Sequence, residues 1–234
     1  MDATPSLPLG LANLRDTIAA VEERIERACV HAGRRREEVT LLAVTKVFPP
    51  QAILDAYALG LREFGENYVQ EFETKAPQVR SLAGARFHLI GHLQSNKSHR
   101  AAELFDVIQT VDSEKLARRL AAEERRLEVM IEVKLSEEQS KYGCAPEDLP
   151  ALVDTIHSLP ALSLTGLMTM PPWSEDAETA RPYFRKLRVL AGQVGVSGLS
   201  MGMSNDLEVA IAEGSTMVRV GTALFGSRRP YLQR

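Results

Sequence analysis

The segment VTLLAVTKVFPP, residues 39–50, joins a run of apolar and β-branched residues to a lysine and then to two prolines. Such a run predicts a buried β-strand, and the prolines predict that the strand ends there. Alternation along this strand places four residues on one face: Thr40, Leu42, Val44 and Lys46. A lysine at the end of a buried strand is costly unless it is paired, solvated or chemically used. Lys46 is therefore the first candidate for a functional residue.

The strand-and-helix pattern repeats along the rest of the chain. A leading helix is predicted over residues 11–33, where apolar residues recur at helical spacing up to a glycine, and residues 1–10 are predicted to be a loose N-terminus. Eight strands follow, with helical segments between them. The predicted strands cover residues 39–46, 62–67, 86–91, 106–112, 128–135, 161–170, 198–204 and 216–221.

This order of elements decides the predicted fold. Eight strands, each followed by a helix, in 234 residues favour an α/β single-domain (β/α)8 TIM barrel with an extra N-terminal helix. The order alone leaves an open, doubly wound sheet as an alternative. No linker rich in Pro, Gly or Ser divides the chain, so residues 1–234 are predicted to form one domain. In a barrel the chemistry lies at the ends of the strands, because the eight βα loops meet at that face.

Composition argues against several kinds of partner. A formal charge of −3 with 44% hydrophobic and 25% charged residues is typical of a soluble globular protein without a basic field for nucleic acid. No apolar stretch approaches the ~18 residues of a membrane span, and the start MDATPSLPLG lacks the positive charge of a secretory signal, so a cytoplasmic protein is expected. Cys29 and Cys144 match no zinc or disulfide spacing, and His88 and His92 do not share a helix, so no metal site is predicted.

The sequence leaves two interpretations of Lys46 open. If Leu42 and Val44 fill the barrel lumen, Lys46 projects into its upper part among apolar neighbours. Such surroundings disfavour the ammonium form, and the free amine can attack a carbonyl to form a Schiff base. The alternative is a structural ion pair with Glu66 or Asp112.

The ends of the last two strands are suited to a phosphate group. In VRVGTALFG, residues 218–226, a short helix is predicted to begin at the strand end, which exposes backbone N–H groups and a hydroxyl. In SMGMSNDLEVA, residues 200–210, plain helix capping by Asn205 and Glu208 is an alternative, but it leaves Ser204 unexplained. Phosphate sites in these barrels often follow strands seven and eight. The predicted phosphate ligands are Ser204, Gly221 and Thr222.

Arg219 narrows the choice of ligand. Its parity in the last strand places it in the lumen below the phosphate loop, where an arginine needs an acceptor. A flat phosphorylated aldehyde would place its carbonyl carbon at Lys46 and a ring nitrogen at Arg219, and pyridoxal 5′-phosphate (PLP) is such a molecule. The alternative for Arg219 is an internal ion pair with an acid at a strand end.

Six segments, in this order across residues 39–227, resemble the pyridoxal phosphate homeostasis proteins, which are single-domain relatives of the alanine racemase barrel. The segments are LLAVTK, FGENYVQE, FHLIGHLQSNK, GLMTM, SMGMSND and VRVGTALFG. Any one of them is weak, but the ordered set is specific. The resemblance implies that Lys46 carries PLP as a Schiff base, that Arg219 meets the pyridine nitrogen, and that Asn67 and His88 lie around the ring. It assigns the phosphate to Ser204, Gly221 and Thr222.

The resemblance also implies a function. It indicates a protein that stores, buffers or delivers PLP, with no catalytic residue and with PLP-dependent apo-enzymes as recipients. One alternative is a PLP-dependent amino-acid racemase, which needs a second acid/base on the ring face opposite the lysine. Another is an aldolase that uses Lys46 against a sugar phosphate without PLP.

Overall fold

The computed structural model describes residues 11–123, 125–136 and 142–226. Within them eight parallel strands pair in chain order and close into a barrel, because the first strand pairs with the last. The strands are β1 (Thr40–Val44), β2 (Glu63–Glu66), β3 (Arg86–Leu89), β4 (Val107–Val111), β5 (Leu127–Glu132), β6 (Leu162–Met168), β7 (Gly198–Met203) and β8 (Met217–Val220). This closure confirms the predicted TIM barrel and excludes the open sheet.

Helices alternate with the strands and surround the barrel. They are α1 (Leu11–His31), α2 (Pro50–Ala58), α3 (Val69–Val79), α4 (Ser98–Leu104), α5 (Glu114–Ala121), α6 (Leu149–His157), α7 (Arg181–Val194), α8 (Leu207–Ala212) and α9 (Thr222–Phe225). The predicted extra helix is α1, and it ends just before Gly33, whose φ of +66° turns the chain. Residues 1–10, predicted to be loose, lie outside the described part of the chain.

The apolar interior has two parts. The larger lies between the strands and the helices and includes a group of packed phenylalanine rings: Phe64, Phe72, Phe87 and Phe105. A smaller, separate cluster consists of Leu42, Val44, Ile90 and Met217. Leu42 and Val44 alternate along β1 with Leu41 and Ala43 of the larger core, so they face the barrel lumen, as predicted.

Helix α1 supports the loops that follow the last two strands. Arg24 donates to both carboxylate oxygens of Glu208 on α8, at 2.7 and 2.9 Å, and to the carbonyl oxygen of Ser204 at 2.9 Å. The hydroxyl of Thr17 donates to the carbonyl oxygen of Leu224 on α9 at 2.8 Å. The extra helix thus holds the segments in which a phosphate site is predicted.

No helix within the described ranges is long and apolar enough to cross a membrane. The same residues contain no group of three or more His, Cys, Asp or Glu side chains placed to hold a metal ion. Cys29 and Cys144 are both buried free thiols.

Candidate cofactor-binding site

A cavity of ≈ 280 Å³ opens at the face of the barrel where the strands end. Val44 and Ile90 from the small apolar cluster form part of its wall. A concave site with an apolar floor and a few converging polar groups is typical of small-molecule binding. Six of the seven residues predicted from the sequence line this cavity: Lys46, Asn67, Ser204, Arg219, Gly221 and Thr222.

Lys46 lies in the turn after β1, which ends at Val44, two residues earlier than predicted. The two acids considered as structural partners for it make the following contacts. Glu66 accepts from Lys75 Nζ at 2.9 and 3.0 Å and from the hydroxyl of Thr45 at 2.7 Å. Asp112 lies 3.8 Å from the ring of His92.

Arg219 is buried in the lumen beneath the cavity, with 3% of its surface exposed. Its Nη1 donates to the carbonyl and hydroxyl oxygens of Ser200 at 2.6 and 2.8 Å, and its Nη2 donates to the carbonyl oxygen of Thr169 at 2.8 Å. No carboxylate of the described residues forms an ion pair with it, so the predicted alternative of an internal ion pair is wrong. Burial lowers the pKa of Arg219 to about 10, while the more distant Asp206 and Glu132 act in the opposite direction.

The loops after β7 and β8 meet at the phosphate positions predicted from the sequence. The hydroxyl of Ser204 accepts from the backbone N–H of Ala223 at 3.3 Å, in the first turn of α9. Thr222 is the first residue of that helix, and Gly221 precedes it. A hydroxyl from each loop and the start of a helix therefore border the same side of the cavity.

The capping box considered for α8 is not formed. Asn205 donates from Nδ2 to the carbonyl oxygen of Ser174 at 3.0 Å, and Glu208 binds Arg24 instead of reaching back along its own helix. The residue before α8 is Asp206, whose carboxylate accepts from the N–H of Met203 at 2.6 Å. Asn205 and Glu208 therefore connect the start of α8 to other segments of the chain and do not cap the helix.

His88 does not reach the cavity wall, contrary to the expectation that it lies around the cofactor ring. It sits inside β3, and its Nε2 donates to Glu63 at 2.5 Å while its Nδ1 accepts from Gln109 Nε2 at 2.9 Å. Gln109 accepts from the hydroxyl of Ser200 at 2.7 Å, and that hydroxyl accepts from Arg219. A chain of hydrogen bonds through the lumen thus connects His88 to Arg219.

Asn67 follows β2 and lines the cavity. Its Oδ1 is buried and has no hydrogen-bond partner among the described residues. A Cβ added at Gly91 would lie 2.2 Å from the carbonyl oxygen of Asn67, so only glycine allows the ends of β2 and β3 to approach this closely. A buried acceptor without a donor in a cavity wall is a place where a ligand can donate.

The loop between β6 and α7 forms a wall that the sequence analysis did not assign. Met170, Trp173 and Asp176 of this loop line the cavity, and Asn205 fastens the loop through Ser174. Loop residues follow no hydrophobic periodicity, so the sequence pattern does not predict which of them line a cavity. The available signal was the single tryptophan of the chain, set among prolines and polar residues.

The chain is similar to known proteins over most of its length. The family described as alanine racemase, N-terminal domain, matches residues 17–229. The pyridoxal phosphate homeostasis protein of Pseudomonas aeruginosa is 45% identical over 224 residues, which cover 93% of this chain and 97% of that protein. This chain belongs to the pyridoxal phosphate homeostasis protein family. The family member from Aquifex aeolicus is 41% identical over 227 residues, covering 93% and 99% of the two chains.

Solved structures agree with this membership of the pyridoxal phosphate homeostasis protein family. PipY of Synechococcus elongatus PCC7942, solved with PLP bound, has a TM-score of 0.80 and 36% identity, and the match covers 91% of this chain and 100% of PipY. Alanine racemase from Corynebacterium glutamicum has a TM-score of 0.68 at 19% identity, covering 94% of this chain and 63% of the racemase. The racemase therefore shares the barrel fold. The family inferred from six sequence segments is confirmed.

Proposed function

We propose that this protein binds pyridoxal 5′-phosphate in the cavity at the strand ends and stores, buffers or delivers it in the cytoplasm without acting as an enzyme. The observation that carries the proposal is that Lys46, Arg219 and the hydroxyls of Ser204 and Thr222 border one cavity. The names of the relatives and the PLP bound to PipY support it. We further propose that residues 1–234 form a single PLP-binding domain and that PLP-dependent apo-enzymes receive the cofactor.

The chemistry of the cavity fits this ligand. Asn67 Oδ1 is an acceptor without a donor among the described residues, and Arg219 presents a desolvated cation. When bound, PLP supplies an aldehyde that condenses with amines and a ring that accepts electrons. In the proposed complex the Lys46 amine condenses with the aldehyde carbon to form the Schiff base. Ser204 and Thr222 offer hydroxyls to the phosphate.

Arg219 favours storage over catalysis. Its pKa of about 10 lies well above neutral pH, so the guanidinium stays charged despite its burial. A cation cannot accept a proton, so a guanidinium facing the pyridine nitrogen keeps that nitrogen unprotonated. An unprotonated ring withdraws electrons weakly, which disfavours reactions through carbanions.

Absorbance and borohydride reduction of the purified protein test the proposal. We expect a yellow protein whose visible absorbance is lost on reduction, and peptide mapping should find the pyridoxyl group on Lys46. Detection of that group on Lys97, Lys134 or Lys141 would contradict the assignment. A colourless protein that is trapped by reduction with a sugar phosphate would instead support the aldolase alternative.

The phosphate ligands can be tested one at a time. Ser204→Ala and Thr222→Ala should each weaken PLP retention roughly 10- to 100-fold, because each removes a hydrogen bond to an ionised group worth about 1.5–3 kcal/mol. Dialysis followed by absorbance measures the loss. Ser163→Ala, on an exposed position of β6, is the matched control and should bind as the wild type does. Unchanged retention in both variants would place the phosphate elsewhere.

A further inference from the structure

The turn that carries Lys46 contains an unusual backbone conformation. Val47 has a φ of +65°, and within the described ranges it is the sole non-glycine residue with a positive φ. This left-handed region is unfavourable for a β-branched residue, because Cβ approaches the following carbonyl oxygen. Val47 is 56% exposed, so packing of its side chain does not hold this conformation. Another interaction must stabilise the turn.

Two residues of α3 bond the backbone on both sides of Lys46. Glu71 accepts from the N–H of Val47 at 2.5 Å. Lys75 Nζ lies 2.6 Å from the same Glu71 oxygen and donates to the carbonyl oxygen of Thr45 at 3.0 Å. The peptide groups before and after Lys46 are therefore both held by side chains from α3.

The network is anchored where water is excluded. Lys75 and Glu66 are 3% and 0% exposed, and Glu66 binds both Lys75 and the hydroxyl of Thr45. Burial strengthens such charge-assisted hydrogen bonds. Burial also raises the pKa of Glu66, whereas Lys75 and Thr45 act to lower it. Glu71 is the more accessible member, with a side chain 24% exposed, and can be replaced without opening the core.

We propose that Glu71 and Lys75 are positioning residues for Lys46: they hold the strained Val47 turn and so aim the lysine amine into the cavity. The proposal rests on the proposed role of Lys46 in binding PLP. Without the Glu71 carboxylate, the exposed N–H of Val47 can bond water, and the turn can relax to a negative φ. The Lys46 side chain then no longer points into the cavity, where its amine would reach a ligand.

The experiment compares PLP affinity in three variants. Glu71→Ala should weaken PLP binding about tenfold, which corresponds to about 1.4 kcal/mol. Glu71→Gln should lose less, because its carboxamide oxygen can still accept from Val47. Adding Val47→Gly to Glu71→Ala should restore most of the affinity, because glycine adopts a positive φ without strain. Glu73→Ala, on the same helix and paired with Arg100 at 2.6 Å, is the matched control and should bind normally.

A second measurement works without PLP. Trinitrobenzenesulfonate modifies lysine amines, and peptide mass spectrometry of the cofactor-free protein measures its rate of reaction with Lys46. This rate should rise in Glu71→Ala. It should return towards the wild-type rate when Val47→Gly is added to Glu71→Ala. The proposal is overturned if Glu71→Ala keeps the wild-type PLP affinity and the wild-type labelling rate, even if its melting temperature falls. It is also overturned if adding Val47→Gly to Glu71→Ala restores neither the affinity nor the labelling rate. If the wild type binds no PLP, the proposed function fails, and the labelling rates still decide whether α3 positions Lys46.

Discussion

Lys46→Ala is expected to abolish covalent attachment of PLP, so that borohydride reduction leaves no pyridoxyl group on any lysine. Within the described residues Lys46 is the one lysine in the cavity wall. Lys75, which bonds the backbone of the turn that carries Lys46, does not line the cavity and is held in ion pairs with Glu66 and Glu71, so it cannot replace Lys46. The Lys46→Ala variant should still bind PLP weakly and non-covalently, because it retains Ser204 and Thr222, the proposed phosphate ligands.

Mass spectrometry of the reduced protein and the visible absorbance spectrum measure this effect. Lys134→Ala is the control, because Lys134 follows β5 and does not line the cavity. The control should keep the full pyridoxyl yield. A variant lacking Lys46 that is still modified at another lysine, with unchanged affinity, would show that Lys46 is not the attachment point.

Racemisation of amino acids by the PLP-loaded protein should be negligible. A racemase needs an acid/base on the ring face opposite the lysine, and such assistance is typically worth ~10²–10⁴-fold. No tyrosine of the described residues lines the cavity: Tyr68 is 58% exposed, and Tyr142 stacks on His92 with ring centroids 3.5 Å apart. The proposed contact of Arg219 with the pyridine nitrogen removes a second requirement, because it keeps the ring a weak electron acceptor.

The test is incubation of the yellow protein with saturating L-alanine in deuterated water, with α-proton exchange and D-alanine both followed. Turnover of about 10 per second, the median for enzymes, would reject the storage role in favour of the racemase alternative. Slow or absent exchange, together with transfer of PLP to an apo-enzyme, is the expected result. Protein without PLP provides the blank.

The barrel and most of its cavity could be predicted because they depend on local sequence pattern. Each strand is a short buried run, and parity within a strand decides which side chains face the lumen. That reasoning predicted that Lys46, at the predicted end of the first strand, and Arg219, in the last strand, face the lumen, and both residues line the cavity. The predicted strand ends were less accurate: β1 ends at Val44, two residues before the predicted end, because the turn that carries Lys46 begins there.

Contacts between distant segments could not be predicted. His88 was expected near the ring because its segment matches the family; it is absent from the cavity wall and is connected to Arg219 through Gln109 and Ser200. The capping box failed because Ser174, a loop residue of another βα unit, takes Asn205. Tertiary pairing of this kind leaves no periodic mark in the sequence.

Trp173 gives the molecule a built-in optical reporter. It is the single tryptophan of the chain and lies in the cavity wall, so all indole emission arises beside the ligand position. A chromophore that enters the cavity can quench this emission by energy transfer, whereas binding elsewhere on the surface leaves it less affected. Loading and unloading can therefore be followed in real time in the unmodified protein, including during transfer to a recipient that lacks tryptophan.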